Sequence, residues 1–294
     1  MDVGGTKIEV AALDTTGAIV FRTRQPTAPG DYAATVEAIA GLVAAADQAI
    51  GHPEGSVGIG IPGAISPATG LVKNANSTWL NGRPLRRDLA RRLGRPVKIA
   101  NDANCFAVSE ATDGAAAGSS PVFGVILGTG VGGGIVIDRQ VLTGADAIAG
   151  EWGHTPLPSP AKDELPGERC WCGRIGCLET WISGPALIRE HERSTGRRWT
   201  PDRIAEAAIA GDAGAEKVLA EYESRLARGL AVIVNILDPA AIVLGGGLSN
   251  LARLYERVPP LLVPLVFSDR LATRIIPPRH GDSSGVRGAA WLWQ

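Results

Sequence analysis

The chain has 294 residues, enough for two domains that each bury a core. Apolar residues make up 45% and charged residues 20%, with a formal net charge of -1, the balance of a folded globular protein without an electrostatic footprint for nucleic acid. No apolar stretch reads as long enough to span a bilayer and the start lacks a signal-peptide pattern, so neither nucleic acid nor membrane is an expected partner and a cytoplasmic setting is expected.

Met1 stands directly before Asp2, so either the first strand is unusually short or the true start lies upstream. The turn Asp2–Lys7 leads into a predicted strand at Ile8–Leu13. A helix is expected over Thr35–Ile50, with Val36, Ile39, Leu42 and Val43 on one face. A strand at Val57–Ile61 precedes a helix at Leu85–Leu93, whose leucines at 85, 89 and 93 recur every four residues. Another strand, Val97–Ala100, ends on Asn101-Asp102, before a helical pattern from Ala103. Gly, Ala and Ser crowd into Gly114–Ser120, which places the main boundary between an N-terminal domain, 1–115, and a larger one, 116–281. The second half continues with strands at Val122–Leu127, Gly134–Ile137 and Ala241–Leu244. A polar, proline-bearing surface loop is expected at Ser159–Arg169, a long helix at about Ala215–Leu237, and a last helix at Gly285–Trp293. Strands mixed with helices in this order read as an α/β protein.

Thirty-eight glycines are the compositional outlier. Asp2-Val3-Gly4-Gly5-Thr6-Lys7 offers backbone N–H groups and a hydroxyl to phosphate oxygens, and Asp2 could hold the hydration shell of Mg²⁺. A plain hairpin turn explains the segment equally well on its own. Gly128-Thr129-Gly130-Val131-Gly132-Gly133-Gly134 repeats the same logic in the second half. Gly245-Gly246-Gly247 follows a third strand and opens a helix at Leu248, where a flat ring could lie on the backbone. Three clusters at strand ends, two with Thr, favour a nucleotide. The P-loop ending is absent.

Asn101-Asp102 lies at a strand's carboxyl end, where ligands of open α/β sheets bind. By position alone the pair is a helix N-cap; beside the phosphate turns, Asp102 reads as the base for an attacking hydroxyl and Asn101 as its orienter. Gly150-Glu151-Trp152-Gly153-His154 adds a carboxylate and an imidazole. Cys170, Cys172 and Cys177 fall within eight residues, and with His154 they make a closed Cys₃His set, the signature of structural Zn²⁺ rather than of a disulfide framework. Glu151 and Glu179 flank that cluster and could be fixed by it as acceptors for sugar hydroxyls.

The chain resembles the ROK family of sugar kinases and repressors over essentially its whole length, and within it the bacterial fructokinases of the manno(fructo)kinase type. The residues carrying the resemblance are Asp2–Lys7, Ile61-Pro62-Gly63, Asn74–Gly82, Asn101–Cys105, Gly128–Gly134, Glu151–His154, Cys170–Glu179, Gly245–Gly247 and His280–Ala290. The resemblance implies an actin-like ATPase (ribonuclease H-like) fold of two α/β domains around a cleft, with the final segment, 282–294, packed back on the first domain. It implies Asp102 as the catalytic base and Asn76, Asn101, Glu151, His154 and Glu179 as sugar contacts. The phosphate turns would bind ATP through Asp2, Gly4, Gly5, Thr6, Lys7, Gly128, Thr129, Gly130, Gly132, Gly245, Gly246 and Gly247. His154 would serve both zinc and sugar. A homodimer forming fructose 6-phosphate from ATP and D-fructose, with mannose or glucose as secondary substrates, is the implied protein, with a glucokinase or an N-acetylmannosamine kinase as alternatives. A sugar-sensing regulator is the rival of another class, disfavoured because the chain begins at the phosphate turn with no helix-turn-helix ahead of it.

Overall fold

The computed structural model describes residues 1–51 and 55–293. Residues 52–54 and Gln294, which fall within the expected first domain and closing helix, lie outside the described residues, as does the side chain of Asp282. The chain forms two compact units, one of Met1–Gly118, Gly134–Gly150 and Arg279–Gln294, the other of Ser119–Gly133 and Glu151–Pro278.

The first stretch of chain runs β1 (Asp2–Val3), β2 (Lys7–Leu13), β3 (Ile19–Pro26), α1 (Tyr32–Ile50), β4 (Val57–Ile61), β5 (Ala64–Ile65), β6 (Val72–Lys73), α2 (Leu85–Leu93), β7 (Val97–Asn101) and α3 (Asp102–Thr112). The first five-stranded sheet has the order β3-β2-β1-β4-β7, with β1, β4 and β7 parallel and β2 and β3 antiparallel. All five residues of β4 are buried, which is why Val57–Ile61 reads as an unbroken apolar run rather than an alternation. The edge strand β3 was not expected. Its residues alternate between half-buried and exposed, and Arg22 and Arg24 interrupt the apolar signal.

Asp31 caps α1 by accepting the Ala34 N–H at 2.9 Å, and Gly51 ends it in the left-handed region at φ 68. The helix therefore starts three residues before the expected Thr35. At 19 residues it is long and apolar enough to cross a membrane by length and composition, which corrects the expectation that no stretch reaches that size. Here its Val36, Ile39, Leu42 and Val43 are buried in the core of the first unit with Ile8, Ile59 and Ile61.

The rest of the chain runs β8 (Val122–Leu127), β9 (Val131–Ile137), β10 (Gln140–Val141), α4 (Glu179–Ile182), α5 (Gly184–Thr195), α6 (Pro201–Ile209), α7 (Ala213–Leu237), β11 (Ala241–Gly245), α8 (Arg253–Leu262), β12 (Arg274–Ile276) and α9 (Ser284–Trp291). The second sheet has the order β10-β9-β8-β11-β12. Strands β8, β11 and β12 are parallel, and a short turn reverses the chain from β8 into β9. Both sheets thus share one plan: three parallel strands extended by an antiparallel meander, with a fully buried strand, β4 or β11, in the middle of the parallel set.

Three expectations change. Strand β9 begins at Val131, three residues before the expected Gly134, so Gly132 and Gly133 belong to the strand and not to the turn. The helix expected at Leu248 is a 3₁₀ turn, Gly247–Asn250, and α8 starts only at Arg253. The Ser159–Arg169 segment is not simply a solvated loop, because Glu164 is buried in it. Glu164 accepts hydrogen bonds from Arg225 at 2.8 Å and from Arg228 at 2.7 and 2.9 Å, which ties the segment to α7.

In the first unit α9 lies on α3 and β4 at backbone contact. A Cβ on Gly288 would stand 1.6 Å from the Cys105 carbonyl oxygen, and one on Gly58 1.6 Å from that of Ala289. Only glycine permits either approach.

Candidate active site

In the first unit, Asn101 is both the last residue of β7 and the N-cap of α3. Its Oδ1 accepts the Ala103 N–H at 2.9 Å, and Asp102 Oδ1 accepts the same N–H at 2.8 Å. The cap reading is therefore realised, and it fixes Asp102 in the first turn of a helix, where the dipole favours a carboxylate. A carboxylate has about four lone-pair positions, so the bond to Ala103 leaves it capacity to accept a proton.

The first glycine turn joins β1 to β2. Gly4 N–H donates to the Lys7 carbonyl at 2.9 Å, leaving Gly5 and Thr6 exposed at the tip. The turn is a hairpin and a candidate phosphate cradle at once. Thr27, which the sequence reading did not single out, braces it twice: its N–H donates to Thr6 O at 3.0 Å and its hydroxyl to Gly4 O at 2.8 Å. Burial holds the Asp2 carboxyl above its ordinary pKa, with the nearby N-terminal ammonium opposing.

Asn76 is exposed on a loop that Asn81 clamps, accepting the Ala75 N–H at 2.9 Å and donating to the Ala75 carbonyl at 2.8 Å. Within the same segment Ser77 is buried, and among the described residues its hydroxyl has no hydrogen-bond partner.

In the second unit, Gly128 N–H donates to Gly130 O at 3.0 Å and Thr129 and Gly130 are exposed, the layout of the first turn repeated. Gly184, at the start of α5, braces it by donating its N–H to Gly128 O at 2.8 Å. Gly132 lies in β9, where its carbonyl accepts the Trp152 indole N–H at 2.9 Å. In the third cluster Gly245 ends β11, and Gly246 has φ 79 and sits so close to β8 that a Cβ would meet Leu127 O at 2.5 Å. Gly246 is therefore needed for packing whatever it binds; Gly247 is exposed with open space beside it.

The cysteines and the histidine come together. The ligand atoms of His154, Cys170, Cys172 and Cys177 all lie within 4.8 Å of one another. Cys172 Sγ is 3.6 Å from Cys177 Sγ, and Cys170 Sγ is 3.6 Å from His154 Nδ1. A tetrahedral zinc with bonds of about 2.3 Å to sulfur and about 2.0 Å to nitrogen would set S–S at roughly 3.8 Å and S–N at roughly 3.5 Å, spacings that these two pairs match. Burial pushes the Cys177 thiol up to about 12, so a metal binding at neutral pH must displace its proton. Glu151 immediately precedes the 3₁₀ turn Trp152–His154 that delivers the imidazole.

Glu179 connects this cluster to the second turn. Its Oε2 accepts the Val131 N–H at 2.9 Å, and its Oε1 accepts the Trp171 indole N–H at 2.7 Å. Trp171 also went unmarked in the sequence; its place inside Cys-x-Cys was the available signal.

The ROK family model matches residues 1–294. An N-acetyl-D-glucosamine kinase of Salmonella paratyphi C (strain RKS4594) is 42% identical over 299 residues, covering 99% of this chain and 97% of that protein. A ROK hexokinase from Thermus thermophilus superposes with a TM-score of 0.87 at 31% identity, over 99% of this chain and 95% of that one. A ROK glucokinase from Streptomyces griseus, solved with glucose and AMPPNP, gives 0.79 at 30%, over 99% and 97%. The fold is the expected α/β actin-like ATPase fold, with its two mixed five-stranded sheets. From a model match over its full length and a relative at 42% identity, the chain belongs to the ROK family.

Proposed function

We propose that the chain is an ATP-dependent hexose kinase that moves the γ-phosphoryl group onto the sugar 6-hydroxyl. The observation that carries this reading is Asp102, held by its cap at the carboxyl end of a parallel strand and at the start of α3. The hexokinase and glucokinase folds and the kinase relative support it.

In this reading Asp102 accepts the proton of the attacking hydroxyl, and Asn101 orients the same sugar from the neighbouring position. General-base help of this kind is worth roughly 10²–10⁴-fold, and positioning supplies much of the remainder. Gly5 and Thr6 in one turn and Thr129 and Gly130 in the other present backbone and hydroxyl donors to the phosphates, with Gly4, Lys7, Gly128 and Gly132 framing them. Gly245, Gly246 and Gly247 would lie along the nucleotide ring. Mg²⁺ arriving with ATP would neutralise phosphate charge, with Asp2 on its hydration shell. Glu151, Glu179 and the Nε2 side of His154 take sugar hydroxyls, and Asn76 adds one contact. His154 Nδ1 and the three thiolates would hold a structural zinc, which supplies a crosslink and, being four-coordinate, no reactive position.

Two acceptors have separate support. The closing run His280–Ala290 resembles the fructokinase subgroup, which favours D-fructose. The 42% identical relative favours N-acetyl-D-glucosamine. A coupled ADP-release assay with fructose, N-acetylglucosamine, glucose and mannose decides between them, because a polar pocket built for one hydroxyl pattern rejects others strongly. Asp102→Asn should keep sugar binding and lose nearly all turnover. A near wild-type rate in that variant would remove Asp102 from the mechanism.

A further inference from the structure

Trp171 stands between two of the candidate metal ligands, Cys170 and Cys172, and is 64% exposed. An indole so open to water is ordinarily free to turn, but this one is held twice. Its Nε1–H donates to buried Glu179 at 2.7 Å, and its ring stands edge-to-face with the His154 imidazole, the centroids 5.1 Å apart and the planes at 81°. Glu179 and His154 are two of the groups assigned above to the sugar. The ring is thus anchored to the acceptor groups while much of its surface stays open.

Carbohydrate rings present hydroxyls around their rim and C–H groups on their faces. Carboxylate and imidazole suit the rim; a fixed aromatic face suits the C–H surface. An indole offers a large contact area with only two rotatable bonds, so little entropy is lost when it is used. We infer that Trp171 is an acceptor-contact residue, a platform on which a face of the hexose ring packs while Glu179 and His154 take its hydroxyls. This rests on the sugar-kinase reading of the same site.

The test compares Trp171→Phe, which keeps an aromatic face and loses the N–H, with Trp171→Ala, which loses both. In the wild type, saturating with the accepted hexose in the absence of ATP should change the intrinsic fluorescence, and that change should shrink in Trp171→Phe. The hexose KM should rise about tenfold in Trp171→Ala and stay near wild type in Trp171→Phe, with the KM for ATP unmoved in both. An unchanged hexose KM in a folded, active Trp171→Ala variant would overturn the platform. So would equal losses in the two variants, which would assign the effect to the bond with Glu179. A wild-type protein that phosphorylates no hexose and shows no sugar-dependent fluorescence change would overturn the kinase reading itself, and this inference with it.

Discussion

Glu179 Oε2 accepts the backbone N–H of Val131 at 2.9 Å, and this bond joins the metal-type cluster to the strand that leaves the second glycine turn. The other carboxylate oxygen accepts from the Trp171 indole, so both partners are donors. Glutamine cannot satisfy two donors from its two ends, because its amide presents one oxygen and one NH₂. Glu179→Gln should therefore cost about 1–3 kcal/mol in stability and raise the KM for both sugar and ATP. A urea titration and initial-rate kinetics check this, and an unmoved midpoint with unmoved KM values would show that the carboxylate is dispensable.

The metal-type cluster should hold one zinc per chain by elemental analysis of carefully purified protein. The segment from Trp152 to Leu178 contains two isolated bridges, Pro156 with Cys177 and Arg169 with Ile175, and no strand longer than a bridge among its described residues. A crosslink of four protein ligands would add to the few backbone bonds, such as Leu178 N–H to Thr155 O at 2.8 Å, that hold His154 and Cys170 in register. Cys172→Ser or exhaustive chelation should lower the thermal midpoint by several degrees and raise the sugar KM more than the ATP KM. Metal-free protein of full stability would exclude a structural zinc.

How much could be read beforehand depended on how each element is covered. Buried strands such as Val57–Ile61 and Val122–Leu127 were legible as apolar runs, and Leu85–Leu93 as a leucine repeat. Elements whose apolar signal is broken by charge or proline were not: β3 carries Arg22 and Arg24 outward, α6 opens on Pro201, and α8 contains Pro259 and Pro260. The cysteine cluster was legible because its ligands are close in sequence. The braces on the glycine turns were not, since Thr27 and Gly184 act across 21 to 56 positions through bonds to backbone carbonyls that no residue pattern announces.

Glu164 sets a pH dependence. Burial alone would raise its pKa, but hydrogen bonds from Arg228, Arg225 and the Ala161 N–H outweigh it and hold the carboxyl at about 2. A carboxyl depressed in the folded state contributes stability that is fully present above its unfolded pKa, about 4.5, and lost as pH falls toward 2. Denaturant midpoints should decline over that window. Glu164→Gln should flatten this acid limb and cost about 1–3 kcal/mol at neutral pH, because buried Arg225 then keeps only Glu221, at 3.8 Å, as a carboxylate partner. An acid limb identical in the variant would assign it to other carboxyls.

Two glycine-to-alanine changes should have opposite signs. Gly41 is exposed in the middle of α1 with no atom within 4 Å of an added Cβ, so Gly41→Ala removes chain entropy from the unfolded state at no steric cost. It should stabilise by about 0.4–1 kcal/mol. Gly288 faces the Cys105 carbonyl, where an added Cβ would sit 1.6 Å from the oxygen. No rotamer relieves a backbone clash, so α9 must lift from α3, at a cost of about 1–3 kcal/mol or more. Since α3 carries Asp102 at its first turn, turnover should fall in Gly288→Ala along with the melting temperature, while Gly41→Ala leaves turnover unchanged. Parallel melting curves and ADP-release assays on the two variants check both signs; a stable, fully active Gly288→Ala would mean that α9 can shift without disturbing the helix that holds the base.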